Sequence, residues 1–195
     1  MKEFSQFVNS LSKDWTLFLD RDGVINKRLP DEYVKSIEEF DFLEGVTESL
    51  QILSKIFGRI IVISNQQGIG KKLMTIETLD SIHNQMITDV SKDGGRIDKV
   101  YFCPDLAHKP DNYRKPNSEM AFQAKKDFPE IDFNKSLMIG DSASDIEFGK
   151  RLQMKTIFIG KSSDSSADFE FSSLLEFTQI LVNELDSLEK KGSIC

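Results

Sequence analysis

The sequence predicts an α/β fold, a central parallel sheet with helices on both faces, and three observations carry that expectation. Short β-branched and aromatic runs alternate with segments of helical period. The runs are almost wholly apolar, as strands covered on both faces must be. The strand-then-helix rhythm continues from residue 15 to the C-terminal part without an internal repeat or a low-complexity tract.

The elements follow in order. Trp15-Thr16-Leu17-Phe18-Leu19 reads as a buried strand. Glu44 to Phe57 carries Val46, Leu50, Leu53 and Phe57 on one helical face, with Gly58 placed to end it. Arg59 to Ser64 contains Ile60-Ile61-Val62-Ile63, a second strand, and Thr75 to Val90 repeats Leu79, Ile82, Met86 and Val90 at helical spacing. Val100-Tyr101-Phe102 is the third strand. Ser118 to Phe128 is a helix that Pro129 closes. Leu137-Met138-Ile139, a helix over Ala143 to Leu152, and Thr156-Ile157-Phe158-Ile159 continue the pattern. Lys161 to Asp168 is Ser-rich and reads as a surface loop. A last helix from Ser173 to Lys190 aligns Leu174, Phe177, Leu181, Leu185 and Leu188. The first fourteen residues form an extension whose Phe4, Phe7, Val8 and Leu11 fit an amphipathic helix.

At 195 residues the chain fits one domain, 1–195, able to bury roughly 70% of its unfolded surface without disulfides or structural metal. The net charge of −7 argues against a general affinity for nucleic acid or anionic lipid, which need a positive footprint. No apolar run approaches the length of a membrane span, and no secretory signal is visible at the N-terminus. Cys103 and Cys195 are too few and too far apart for a disulfide framework, which fits a reducing cytoplasm. The expectation is a cytoplasmic protein, monomeric, with no nucleic-acid or membrane partner.

The polar residues fall where chemistry is expected, beyond the carboxyl ends of the strands. The first strand ends in Asp20-Arg21-Asp22-Gly23, the second in Ser64-Asn65-Gln66-Gln67-Gly68, and the fourth in Gly140-Asp141-Ser142. Arg114-Lys115-Pro116 lies in the loop after the third. Each piece alone is weak: Asp20 and Asp22 read as turn acids, Lys115 as a surface lysine, Asp141-Ser142 as a helix cap. Together they fit phosphoryl transfer. Asp20 is the candidate nucleophile. Asp20 and Asp141 are hard oxygen ligands for Mg²⁺, which two carboxylates facing a phosphate dianion require. Asp22 is the candidate acid and base. Lys115 neutralises the transferring group, and Ser64 donates to phosphate oxygens. Ser142 and Asp145 cap the following helix, with Asp145 supporting the metal shell. Gly23 permits the tight turn after the nucleophile.

These stretches, Leu17 to Asn26, Val62 to Ile69, Arg114-Lys115-Pro116 and Met138 to Asp145, resemble the haloacid dehalogenase (HAD) superfamily over about residues 15–160. Tyr33-Val34, Asn65-Gln66 and the Arg-Lys-Pro motif look most like its branch of heptose bisphosphate and histidinol phosphate phosphatases. The resemblance implies a Rossmann-like three-layer fold, Mg²⁺ and an aspartyl-phosphate intermediate. It also implies that the Asp22 backbone carbonyl completes the metal shell and that Asn65 and Arg114 contact substrate. An acid at position 22 favours hydrolysis of a phosphate ester. The stretches 23–63 and 66–114 have room for ordinary crossovers and little more, so no cap domain is expected. Specificity then falls to the loops Lys27 to Phe40 and Pro104 to Asn112. The expected substrate is a small phosphorylated metabolite, a heptose bisphosphate first. Histidinol phosphate is the alternative, ahead of a polynucleotide 3′-phosphate or a non-catalytic phosphate-binding role.

Relatives of that branch often carry a zinc loop of three cysteines and a histidine. Here only Cys103 and His108 stand in that region, so no bound zinc is expected. His83 reads as a residue of an amphipathic helix, Cys103 as a small buried hydrophobe, and Gly68-Ile69-Gly70-Lys71 lacks the spacing of a nucleotide loop.

Overall fold

A computed structural model describes residues 2–29, 32–160 and 166–192. Its elements are α1 (Lys2–Ser10), β1 (Thr16–Leu19), α2 (Val46–Ile56), β2 (Arg59–Asn65), α3 (Gln67–Gly70), α4 (Ile76–Lys92), β3 (Lys99–Cys103) and α5 (Glu119–Asp127). A 3₁₀ turn at Phe133–Lys135 leads into β4 (Ser136–Gly140), α6 (Ala143–Arg151), β5 (Lys155–Ile159), β6 (Phe169–Phe171) and α7 (Leu174–Gly192). The six strands form one sheet in the order β3-β2-β1-β4-β5-β6, every pair parallel. This is the expected α/β architecture.

Alternation along the strands builds two cores. Leu17, Leu19, Ile60, Val62, Leu137 and Ile139 face one side, under Leu50 and Leu53 of α2, Met86 and Val90 of α4, and Phe177 and Leu181 of α7. Phe18, Ile61, Ile63 and Met138 face the other, under Met120, Ala121 and Ala124 of α5 and Phe148 of α6. The central strands are buried on both faces, which is why their sequences read as continuous apolar runs. Among the described residues the chain between β1 and α2, and between β3 and α5, adds no folded cap to these layers.

Three local outcomes differ from the sequence expectations. Helix α2 stops at Ile56 and Phe57 turns extended, so Gly58 is not a left-handed terminator. A Cβ at Gly58 would overlap the Lys13 carbonyl, and its N–H donates to the Trp15 carbonyl at 2.9 Å, so glycine is needed there for close approach. Strand β6 was not foreseen, because three residues are too few to show a period. It pairs with β5, and Asp168 fixes the junction by accepting from the Thr156 N–H at 2.9 Å. Residues 161–165 of the expected Ser-rich loop, and Cys195, lie outside the described residues.

The N-terminal extension is the expected helix, and its apolar face docks. Phe4 meets Phe169 edge-on at 5.1 Å, and Phe7 packs on Trp15 and Phe169 at 5.4 and 5.5 Å between ring centroids. Truncating a buried phenylalanine costs about 3–5 kcal/mol. Phe7→Ala is therefore expected to lower the melting temperature by on the order of 10 °C, read by circular dichroism; an unchanged melt would show that α1 does not anchor the sheet edge.

Candidate active site

Strands β1 and β4 are neighbours, and the order of the sheet reverses at their junction. A crevice opens beyond their carboxyl ends, the position at which open α/β sheets take ligands. Asp20 leaves β1 into it, with its N–H tied to the Ile139 carbonyl of β4 at 2.9 Å. Asp141 follows β4 and Asp145 lies in the first turn of α6. One carboxylate oxygen from each of Asp20, Asp141 and Asp145 falls within 4.8 Å of the others. Glycine makes this approach possible: a Cβ at Gly23, whose φ is +98°, would overlap the Asp141 carboxylate, and one at Gly140 would overlap Asp145.

A single buried cation faces this cluster. The Lys115 ammonium lies 2.7 Å from Asp20 Oδ1 and 2.6 Å from Asp145 Oδ1, and it donates to the Ile63 carbonyl at 2.8 Å. The Asp20 and Ile63 contacts are hydrogen bonds, whereas the Asp145 contact is an ion pair whose Oδ1 has no hydrogen-bond partner among the described residues. Asn65 sets the lysine backbone: Oδ1 accepts the Lys115 N–H at 2.9 Å and Nδ2 donates to the Lys115 carbonyl at 3.2 Å. The Asn65 amide, which the resemblance directs to substrate, is thus committed to Lys115 on both sides. Asp145 also accepts from the Ser142 N–H and hydroxyl at 3.1 and 2.5 Å, completing the expected cap on α6.

One lysine does not balance the cluster. Burial pushes Asp20 up to about 7; Lys115 opposes the shift, and Asp145 and Asp22 add to it. Burial, with Asp145, also raises Asp141, against the pull of Arg28, whose guanidinium lies 3.2 Å from its Oδ2. Burial works against the Lys115 charge, yet Asp145 and Asp20 outweigh it and raise its pKa. Three hard oxygen donors carrying excess negative charge fit a divalent ion of the Mg²⁺ type. Asp145, expected only to support the metal shell, stands within the carboxylate cluster beside Asp20 and Asp141; the contribution expected of Asp22 is its backbone carbonyl, and its carboxylate stands outside the cluster.

Asp22 stands outside that cluster but lines the same cavity. Arg21 Nη2 donates to both of its oxygens at 2.8 and 2.9 Å, Asn26 Nδ2 to Oδ1 at 3.0 Å, and Gln66 Nε2 to Oδ2 at 2.7 Å. Burial alone would raise its pKa, but the Arg21 charge and these donors outweigh it and hold Asp22 below the usual carboxylate range. The structure therefore keeps it as the anion, the form of a base. Arg21 is itself fully buried, and its Nη1 lies 3.2 Å from His83 Nε2. Burial, with Arg21, drives the His83 pKa down to about 3, so the ring is neutral. His83 sits on the buried face of α4, as its spacing implied.

The carboxylates floor a cavity of about 380 Å³ that Ser64, Asn65, Arg114 and Lys115 also line. Its wall adds Arg28, Lys71 and Tyr33, to which the sequence reading gave no site role. Arg28 and Tyr33 come from the loop expected to set specificity. Lys71 lies over the Tyr33 ring at 5.1 Å, just beyond the short helix α3 that the Gly68-Ile69-Gly70 stretch forms in place of a nucleotide loop. Arg114 reaches the Asp105 carbonyl at 3.3 Å. Cys103 is buried, and burial raises its thiol pKa, as a packing role requires. Arg21 and Gln66 stood within the motifs without an assigned role, and Arg28 stood outside them.

The family described as polynucleotide kinase 3 phosphatase matches residues 13–180. A D-glycero-alpha-D-manno-heptose-1,7-bisphosphate 7-phosphatase of Mycobacterium bovis is 34% identical over 169 residues, covering 84% of this chain and 89% of its own. The enzyme of that name from Burkholderia mallei is 37% identical over 162 residues, covering 79% and 84%. The crystal structure of a D,D-heptose 1,7-bisphosphate phosphatase from B. bronchiseptica, complexed with magnesium and phosphate, superposes with a TM-score of 0.78 at 22% identity, covering 87% of this chain and 98% of that one.

The raised Asp20 pKa has a stability consequence. Below its ordinary value of 3.8 the carboxyl is protonated whether the chain is folded or not. As pH climbs towards about 7 only the unfolded chain releases the proton, so stability is lost across that window, fully above it. Asp20→Asn, which mimics the protonated carboxyl, is expected to melt slightly above wild type near pH 5 and by several degrees more at pH 8.5, with divalent ions chelated. Thermal melts at the two pH values check this, and equal gaps at both would refute it.

Proposed function

The chain belongs to the polynucleotide kinase 3 phosphatase family of the HAD superfamily and is a phosphatase; from that premise we propose that it is a Mg²⁺-dependent phosphomonoester hydrolase that removes the 7-phosphate of a D-glycero-D-manno-heptose 1,7-bisphosphate. The observation that carries the reading is the pairing of an acidic floor with a basic wall. Asp20 stands against Lys115 at the bottom of the cavity, and Arg28, Lys71 and Arg114 rise around it in a chain of net charge −7. A local positive rim of this kind suits a small substrate with more than one anionic group. The relatives at 34 and 37% identity carry names of that activity.

The residues divide the work as follows. Bound Mg²⁺, held by Asp20, Asp141 and Asp145, would neutralise the incoming phosphate. An Asp20 oxygen attacks phosphorus, the bond from phosphorus to the ester oxygen breaks, and the leaving oxygen takes its proton from Asp22. A water then attacks the same phosphorus, gives its proton to Asp22 and frees Asp20. Asp22 must therefore take up a proton before the first step; the anion that Arg21, Asn26 and Gln66 favour is the form the second step needs. Lys115 and Ser64 bear on the phosphate oxygens, and Asn65 keeps Lys115 in place. The cavity admits a small metabolite, and the net negative charge argues against a polynucleotide.

The test is steady-state phosphate release from both anomers of the heptose bisphosphate, from histidinol phosphate and from a 3′-phosphorylated oligonucleotide, with and without Mg²⁺. One heptose anomer is expected to exceed the other substrates by at least ~10-fold in kcat/KM, a gap of ~1.4 kcal/mol in transition-state binding. Chelation is expected to abolish turnover, and Asp20→Asn to reduce it by roughly 10³-fold or more. Preference for histidinol phosphate would move the substrate assignment. Equal rates for wild type and Asp20→Asn would remove the nucleophile.

A further inference from the structure

Gln66 is buried between β2 and α3, and no step above uses it. Its N–H donates to the Cys103 carbonyl at 2.8 Å, so its backbone is tied to the end of β3. Its side-chain Nε2 lies 2.7 Å from Asp22 Oδ2 and 2.7 Å from Ser64 Oγ, so each of its two hydrogens has an acceptor. Its Oε1 is buried and has no partner among the described residues. A buried amide with an orphaned oxygen costs stability, and packing alone would favour an apolar side chain of the same length.

We propose that Gln66 is a positioning residue: it makes the Ser64 hydroxyl a hydrogen-bond donor to the substrate phosphate while holding Asp22 in place. A serine hydroxyl has one hydrogen and two acceptor sites, and either role is open to it. Here Oγ accepts from Gln66, and no acceptor for its own hydrogen is present among the described residues. Ser64 lines the cavity, so an anion there is the acceptor that remains. Without the Gln66 donor, the Asp22 carboxylate, bound to the same nitrogen, becomes the competing acceptor. The hydroxyl would then spend its hydrogen on the acid and base rather than on phosphate. One amide thus sets the polarity of a phosphate contact and the position of the proton carrier together.

This inference rests on the phosphatase reading above and deepens it. The test uses the full chain with Mg²⁺ and compares wild type, Gln66→Met, Ser64→Ala and the double variant. Methionine keeps the length and removes the donor. The readouts are kcat, KM and the inhibition constant of inorganic phosphate, with the melting temperature to verify folding. Gln66→Met is expected to weaken phosphate inhibition ~10-fold, as Ser64→Ala does. The double variant should bind phosphate no more weakly than Ser64→Ala, because the two residues act through one contact. A further fall in kcat should persist in the Ser64→Ala background, through Asp22. Gln66→Glu, which would accept the Ser64 hydrogen and repel Asp22, is expected to lose more than Gln66→Met and serves as the second variant if methionine prevents folding. Wild-type phosphate inhibition in a folded Gln66 variant, or losses of phosphate binding that multiply in the double variant, would overturn the inference while leaving the phosphatase reading intact. A wild-type protein that neither releases nor binds phosphate would remove both.

Discussion

Lys115 is the constraint around which the site is built. It is buried, and its single charge is shared between Asp20 and Asp145 while it also donates to a β2 carbonyl. Removing one partner from a buried ion pair typically costs 3–5 kcal/mol, because the charge left behind has no water to turn to. The lysine cannot be moved without stranding two carboxylates, and Asn65 holds its backbone from both sides. Even so the cluster stays over-charged. Burial first, and neighbouring carboxylates second, raise the pKa values of Asp20 and Asp141 despite the one lysine and one exposed arginine beside them. The same imbalance that destabilises the ion-free protein favours a divalent cation and a site for anion chemistry.

The backbone makes this crowding possible in specific places. Gly23 and Gly140 stand where any Cβ would collide with Asp141 or Asp145, so the turns after β1 and β4 fix how closely the carboxylates approach. Helix α6 begins at the same point, and Asp145 serves two masters: it accepts from Ser142 at the helix start and meets Lys115 in the core of the site. Its position in the first turn also suits the partial positive charge of a helix N-terminus. A stability requirement and a functional one are met by one side chain.

Much of this was readable in the sequence. The strands were legible because burial on both faces leaves no polar residues in them, and the helices because their apolar positions repeat at helical spacing. Asp20, Ser64 and Asp141 were legible because they break those apolar runs at the strand ends, and Lys115 because the Arg-Lys-Pro motif stands in the loop after β3. β6 was hidden by its three-residue length, and its flanking Phe-Glu-Phe gains meaning only against Phe4 and Phe7. Arg21 was hidden for a different reason. An arginine between two aspartates reads as solvated, yet it is fully buried with Asp22 and neutral His83 as its partners. Side-chain direction is settled by groups 62 residues away, which no local pattern records. Asn65 shows the limit of motif reading from the other side: its place was evident, but its two bonds to the Lys115 backbone make it a clamp first.

The absence of a folded cap over the described residues decides where selectivity must reside. With nothing to close over the crevice, the groups that tell one phosphate ester from another have to stand on the rim itself. Arg28 and Tyr33 come from the loop after β1, Lys71 from the turn after α3, and Arg114 from the loop after β3. Three independent segments thus place cations on the same opening, although the chain as a whole is acidic. Arg28 is already engaged with Asp141, and Arg114 rests on the Asp105 carbonyl, so neither is rigidly committed to a buried ion pair. Lys71 rests over the Tyr33 ring, and the Tyr33 hydroxyl accepts from Gln67 Nε2 at 2.7 Å. Exposed cations of this kind are worth little to folding, typically below ~1 kcal/mol each. Their convergence on one cavity is therefore better explained by what enters it than by what holds the chain together.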